Sequence, residues 1–443
     1  MTPGALFCDL YELTMAQAYV AEGLSGTAVF ETFFRNLPPH RSYVVAAGLS
    51  AVLDFLEALR FDEADIRHLR SLGGFRDAFL NRLGTLRFTG DVWAVPEGTI
   101  VFANEPILQV VAPIVEAQLV ETFVINQIHL QSVIASKAAR VVEAARGRTV
   151  VEFGGRRAHG TDAALAAART SYLAGAAGTS NVLAGRTYGI PAYGTMAHSF
   201  VQAFDDEARA FAAFVRLYPG TTLLVDTYDT LRGVDRVIDL ARRLGDGFAV
   251  RAVRLDSGDL VALATAARAK LDAARLRDVQ IFASSGLDEH AIARLIASGA
   301  PIDGFGVGTE LAVSADAPTL DMVYKLVEYD GAARTKLSTD KTVYPGRKQI
   351  FRMRDGGVFA GDTVATAGEQ LPGEPLLVPV MERGRRLAPD DLEDGRRRAG
   401  AQLAALPSRL RSLNDARATY PVGVSDVLAR ALDRAREAAR RGA

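Results

Sequence analysis

Between Thr149 and Val327, short β-branched runs alternate with helical stretches, and no other feature limits the fold so sharply. The runs are TVVEFGG, GTSNV, GIPAYGTMAH, TTLLVDTYDT, FAVRAVRLDSGD, VQIFASSG, PIDGFGVGT and DMVYKLV. Strand–helix alternation at this pitch argues for a parallel sheet. About eight units over this length suggest a closed (β/α) barrel. Polar residues collect where the runs end: Arg156, His198, Asp226, Asp256, Ser285 and Thr309. Barrels of this kind carry their chemistry at the C-terminal ends of the strands, so the clustering is itself a functional signal.

A chain of 443 residues is too long for one ordinary core, so a barrel needs company. Leu10–Val20 and Ala46–Leu59 show helical apolar spacing. TAVFETFFRNLPPHRSYVV between them alternates aromatic and polar residues, with Pro38 and Pro39 marking a turn. Thr85–Ala112 reads as a small β-rich layer, and Gln118–Ala145 as one or two helices. The expected division is 1–145, a helical and β-rich N-terminal domain; 146–335, the barrel; and 336–443, a C-terminal segment packing on the N-terminal domain. From about Asp390 the sequence is rich in Arg, Ala and Leu. Interspersed acids favour solvated amphipathic helices over a nucleic-acid tail.

Composition narrows the function. The formal net charge is -1, so no overall basic field draws the chain to nucleic acid or anionic lipid. The single cysteine, Cys8, can form neither an internal disulfide nor a cysteine-rich zinc site, which fits a reducing compartment and a cytoplasmic protein. The N-terminus has no basic n-region or long apolar stretch, so no signal peptide is expected. No apolar run approaches the ~20 residues of a membrane span. HExxH, GxSxG, Walker A and CxxC patterns are absent.

The strand ends offer specific chemistry. Gly306-Val307-Gly308-Thr309 and Ser284-Ser285-Gly286 end neighbouring runs with glycines and hydroxyls, the composition of a phosphate cradle. Either alone is more often structural; the pair resembles the phosphate site that barrels build from their last strands. In Arg254-Leu255-Asp256-Ser257-Gly258-Asp259, Asp256 is a candidate for ribose hydroxyls or for a Mg²⁺ carried by a pyrophosphate. Asp259 reads as a helix cap, and Asp226 and Asp229 are candidates like Asp256. A lone histidine is usually structural, and His40, His68, His129, His159 and His290 take that default. His198 differs: it lies among the strand ends before an expected helix over Phe200–Leu217, and a neutral imidazole is a competent nucleophile toward phosphorus. Arg156 and Arg157, after EFGG, present guanidinium forks suited to carboxylate or phosphate, or to a plain salt bridge.

Taken together, DLYELTMAQAY, EFGGRRAHG, GTSNVLAGRTYGIPAYGTMAHSF, RLDSGDL, SSGLDE, GFGVGT with YKLVE, and KLSTDKTVYPGRKQ resemble nicotinate phosphoribosyltransferases, in register from Asp9 to about Arg352. The resemblance implies an irregular (β/α) barrel of the type II phosphoribosyltransferase kind, with an additional α/β domain built from N- and C-terminal segments. It implies a homodimer with shared active sites. It also implies the union of nicotinate and PRPP into nicotinate mononucleotide and pyrophosphate, in NAD salvage, with Mg²⁺ and with ATP as co-substrate acting through a phosphohistidine.

Carried over residue by residue, His198 is the phosphorylated group. Tyr11 stacks on the pyridine ring from the partner subunit with Asp9 nearby, and Phe153 covers the opposite face. Arg254 and Thr195 bind nicotinate. Ser284, Ser285, Gly308 and Thr309 hold the 5-phosphate, Asp256 the ribose, and Arg156 the pyrophosphate or carboxylate. In the related nicotinamide enzymes the position of Ser180 is an aspartate, so Ser180 is expected to favour the acid over the amide. It would otherwise be a helix cap beside Asn181. The rival readings are a nicotinamide or quinolinate phosphoribosyltransferase and an inactive PRPP-binding regulator.

Overall fold

The computed structural model describes residues 4–337, 342–387, 391–413 and 419–442. Residues 338–341, inside the KLSTDKTVYPGRKQ segment, lie outside the described residues. The chain divides into two compact units, Met1–Ser136 with Thr319–Ala443, and Lys137–Pro318.

The first unit is an α/β layer built from both ends of the chain. Its largest sheet has seven strands in the order Ala332–Ala333, Met322–Tyr329, Thr27–Phe34, Leu108–Pro113, Asp91–Ala94, Val378–Glu382, Arg385–Arg386. Thr27–Phe34 is an interior strand, antiparallel to both neighbours. It is buried along seven of its eight residues, so the aromatic–polar alternation does not mark one wet face. Glu31 is accommodated there by Lys348, whose Nζ lies 3.0 Å from the carboxylate and also donates to the carbonyls of Tyr344 and Gly346. A buried carboxylate is tolerable only with such a partner. The same lysine holds the turn of the YPGRK segment.

The second unit holds a six-stranded parallel sheet in the order Gly178–Thr179, Thr149–Glu152, Gly304–Val307, Gln280–Ala283, Ala252–Leu255, Thr222–Leu224. Val151, Val253, Ile281 and Phe305 are all buried, as expected of parallel strands covered on both faces. Helices Thr161–Leu173, Thr230–Leu244, Leu260–Ala273 and Glu289–Ala297 connect them. Asp229, Asp259 and Asp288 cap the last three with side-chain hydrogen bonds to backbone amides, each worth about 1 kcal/mol. Asp229, read as a site candidate, is therefore a helix cap.

This is an irregular (β/α) barrel, and among the described residues it is not the closed ring of eight that the run count suggested. Of the eight runs, the GIPAYG segment contributes only an isolated bridge between Thr179 and Ala192. The DMVYKLV run pairs antiparallel with Thr27–Phe34 in the first unit. The helix expected over Phe200–Leu217 is two helices, His198–Gln202 and Glu207–Leu217. Asp206 breaks the run by capping the second one through the amide of Ala208.

Candidate active site

The strand ends of the second unit converge on a chain of carboxylates. Asp226, after Thr222–Leu224, accepts from the amide of Asp256 at 2.9 Å and from Ser257 Oγ at 2.6 Å. Asp256, after Ala252–Leu255, accepts from Ser284 Oγ at 2.5 Å, and Ser284 follows Gln280–Ala283. Three adjacent strand ends are thus bonded in series. His198 opens its short helix against this chain. Its Nδ1 lies 3.1 Å from Thr227 Oγ1 and its Nε2 3.8 Å from Asp256 Oδ2. Both His198 and Asp256 remain partly open to solvent.

Arg254 lies within the same strand as Ala252 and donates to the carbonyl of Met196 at 3.4 Å. Burial pulls its guanidinium pKa down, while Asp256 and Asp226 push it up and Arg156 opposes them. Two polar atoms here are buried without a partner: Arg254 Nε and Asp226 Oδ1. Native proteins satisfy most buried polar groups, so two orphans at neighbouring strand ends mark a place where a ligand completes the bonding.

The phosphate-cradle candidates divide. The hydroxyl and amide of Ser284 are both committed, to Asp256 and to the carbonyl of Leu255. Ser284 thus fixes Asp256 and is not a free donor. Ser285 is exposed and has φ +88°, followed by Gly286 at +57°. A non-glycine residue in this region is strained, and such strain gathers at functional turns. Thr309, exposed, starts a four-residue helix after Gly308. Arg156 and Arg157 are exposed in a short 3-10 turn after Gly154.

Phe153 turns its ring inward, against Phe282 with centroids 6.1 Å apart. A cavity of about 190 Å³ lies beside it, lined also by Thr195 and Tyr193 and reaching to Thr149, Thr222 and Gly304 at the starts of their strands. Ser180 is exposed, with its amide bonded to the carbonyl of Glu152 at 2.9 Å. The helix that follows is capped by Asn181, which accepts from Leu183 and Ala184, so Ser180 is not the cap. Tyr11 and Asp9 belong to the first unit. Tyr11 is exposed on the helix Leu10–Ala21, and Asp9 accepts from Thr122 Oγ1 at 2.9 Å.

Two residues escaped the reading of the sequence: Thr227 orients His198, and Glu152 lies wholly buried at the end of Thr149–Glu152. Asp226, a candidate from the sequence, organises Asp256. The usable signal for Glu152 was a carboxylate closing an apolar strand, separated from two glycines by Phe153 alone. Among the described residues, no group of three or more His, Cys, Asp or Glu could by itself hold a metal ion, and no helix is long and apolar enough to cross a membrane.

Fold and site define an α/β-barrel protein whose cations, carboxylates and hydroxyls meet at the carboxyl ends of a parallel sheet. The nicotinate phosphoribosyltransferase (NAPRTase) N-terminal domain model matches residues 6–129, and the NAPRTase family model matches residues 149–341. The chain belongs to the nicotinate phosphoribosyltransferase family. It is 68% identical to nicotinate phosphoribosyltransferase pncB2 of Mycobacterium tuberculosis over 98% of this chain and 94% of that one. It is 42% identical to nicotinate phosphoribosyltransferase of Bacillus subtilis over 84% of this chain and 78% of that one. The crystal structure of human nicotinic acid phosphoribosyltransferase superposes with a TM-score of 0.85 at 31% identity, covering 96% of this chain and 99% of that one.

Proposed function

We infer that this protein joins nicotinate to the phosphoribosyl group of PRPP, releasing pyrophosphate, as a step of NAD salvage. The observation that carries the reading is the convergence of Arg254, Asp226, Asp256 and His198 at adjacent strand ends, with Arg254 Nε and Asp226 Oδ1 left unpartnered, in a chain of this family. Arg254 faces the nicotinate carboxylate, with Thr195 and the Phe153 ring nearby. The turns at Ser285–Gly286 and Gly308–Thr309 receive the 5-phosphate. As the glycosidic bond breaks, positive charge grows on the ribose ring and negative charge on the departing pyrophosphate. Asp256 stands beside the first and Arg156 beside the second, which is where preorganised charge lowers a barrier.

A Mg²⁺ fits the residues as a passenger of the substrate. Asp226 Oδ1 and Asp256 Oδ2 offer carboxylate oxygens, fewer than a protein cage needs, and Mg²⁺ usually keeps phosphate oxygens and waters as its other ligands. When bound, it supplies neutralisation of the leaving pyrophosphate.

ATP coupling runs through His198. With the Nδ1 proton donated to Thr227, Nε2 carries the lone pair. Nε2 attacks the γ-phosphorus, the bond to the β-phosphate oxygen breaks, and ADP leaves. Water later hydrolyses the phosphohistidine to phosphate. The working form is a cytoplasmic homodimer in which Tyr11 of one subunit stacks on the nicotinate of the other.

The test is a base panel with purified protein, PRPP, Mg²⁺ and ATP. Nicotinate should release pyrophosphate and yield nicotinate mononucleotide, and nicotinamide and quinolinate should scarcely react. Pyrophosphate release with quinolinate accompanied by CO₂, or with nicotinamide in preference to nicotinate, would replace this reading by one of its rivals.

A further inference from the structure

Glu152 ends its strand inside the barrel with a side chain that is wholly buried. No cation pairs with it among the described residues, and burial raises its carboxyl pKa against the hydrogen bonds it accepts. Burying an unpaired carboxylate costs several kcal/mol, so an apolar residue would make a more stable strand end. What the carboxylate does is accept at both oxygens. One receives the amide of Gly154. The other receives the hydroxyl of Thr179 at 2.6 Å. Thr179 Oγ1 in turn accepts from the amide of Asn181 at 3.0 Å, and the carbonyl of Glu152 accepts from the amide of Ser180 at 2.9 Å.

These bonds tie two loops together. One is the turn Phe153-Gly154-Gly155-Arg156 and the other is Thr179-Ser180-Asn181. The first is also pinned from behind: a Cβ on Gly154 would lie 2.3 Å from Ala312 Cβ and 2.6 Å from the carbonyl oxygen of Gly308. A carboxylate at this reach accepts from both the N–H and the O–H. A glutamine that accepts from Gly154 turns its NH₂ toward Thr179 Oγ1, so the hydroxyl can no longer donate to residue 152 and must rotate to another acceptor.

We propose that Glu152 is a positioning residue for the base. It registers the Phe153 ring against the loop bearing Ser180, so that ring stacking and selection of the acid act on the same nicotinate. The proposal rests on the assignment of nicotinate to this site. It assigns Glu152 no contact with substrate.

The test is steady-state kinetics on Glu152→Gln, Thr179→Val, Thr179→Ser and the double variant Glu152→Gln/Thr179→Val, with KM measured separately for nicotinate and PRPP. Glu152→Gln and Thr179→Val should each raise the nicotinate KM about tenfold or more, a loss on the scale of one buried hydrogen bond to a charged group. The PRPP KM should rise clearly less than the nicotinate KM, because Arg156 reaches the pyrophosphate from the far end of the turn through a long, exposed side chain. Thr179→Ser, which keeps the hydroxyl, should behave as wild type. The double variant should be no worse than the poorer single variant, because both remove one shared link. If Glu152→Gln does not fold, the contrast between Thr179→Val and Thr179→Ser decides. Folded variants with an unchanged nicotinate KM, equal rises for both substrates, or multiplicative effects in the double variant would overturn the proposal. A wild-type protein that fails to use nicotinate would instead overturn the function on which it rests.

Discussion

Replacing Ser180 by aspartate should turn the enzyme against its own substrate while leaving the fold intact. Ser180 is exposed at a strand end, and its backbone is fixed by the bond from its amide to Glu152. A longer side chain there extends into the site without moving the loop. The helix that follows is capped by Asn181 through two backbone amides, so the substitution removes no cap. An added acid beside a helix start contributes a few tenths of a kcal/mol of stability. The thermal midpoint should therefore hold or rise slightly.

Binding behaves otherwise. Nicotinate is an anion, and two unit charges ~4 Å apart at an effective dielectric near ~20 repel by about 4 kcal/mol. Exposure of the site screens this to about 2 kcal/mol, which is roughly 30-fold. Nicotinamide carries no charge, and a carboxylate can accept its N–H bonds. The assay is the ratio of kcat/KM for nicotinate to that for nicotinamide, wild type beside Ser180→Asp. The wild-type ratio should be large and should fall by one to two orders of magnitude in the variant. A wild-type ratio near unity, or a ratio unmoved by the substitution, would refute the electrostatic argument.

His198→Ala should abolish nicotinate-dependent ATP hydrolysis and keep a slow, ATP-independent transfer; acid-labile phosphate on this variant after incubation with ATP would contradict the assignment. Mixed dimers of Tyr11→Ala and His198→Ala should regain activity, because one of the two sites then has both residues intact. No recovery after demonstrated subunit exchange would count against a shared site. Glu12 is wholly buried, with Oε2 unpartnered. Burial is the largest cause that moves its pKa from 4.5 up to about 7; bonds from Thr122 lower it and Glu121 raises it. The folded state therefore holds a proton that the unfolded chain has lost, and the stability due to this group falls as pH rises from about 4.5 through 7. Glu12→Gln should gain on wild type across that window, by about 1 kcal/mol after screening, read from thermal midpoints at pH 5 and pH 8. An equal difference at both pH values would argue against it.

The parallel core was legible because strands covered on both faces are written as short apolar runs, and Val151, Val253 and Ile281 sit in such runs. Its closure was not. Whether the segment around Ala192 joins the sheet or makes a single bridge depends on tertiary pairing, and so does the departure of Met322–Tyr329 to an antiparallel partner. Residues with two competing roles were the ones misread. Asp229 and Asp256 share type and position at strand ends, yet one bonds the amide of Arg232 and the other the hydroxyl of Ser284. Sequence spacing does not distinguish a capping carboxylate from one held by a neighbouring strand. Glu152 was passed over because a lone acid at a strand end reads as solvent-facing, and its burial follows only from the loops folded over it.

Nicotinate and PRPP should meet at the C-terminal strand ends of the second unit. A crystal structure of the protein with nicotinate mononucleotide tests this most directly. The 5-phosphate should lie against the amides of Ser285, Gly286 and Thr309, the ribose beside Asp256, and the carboxylate on Arg254 Nε. A nucleotide bound elsewhere, or one at the strand ends that leaves Arg254 and Asp256 untouched, would contradict the claim.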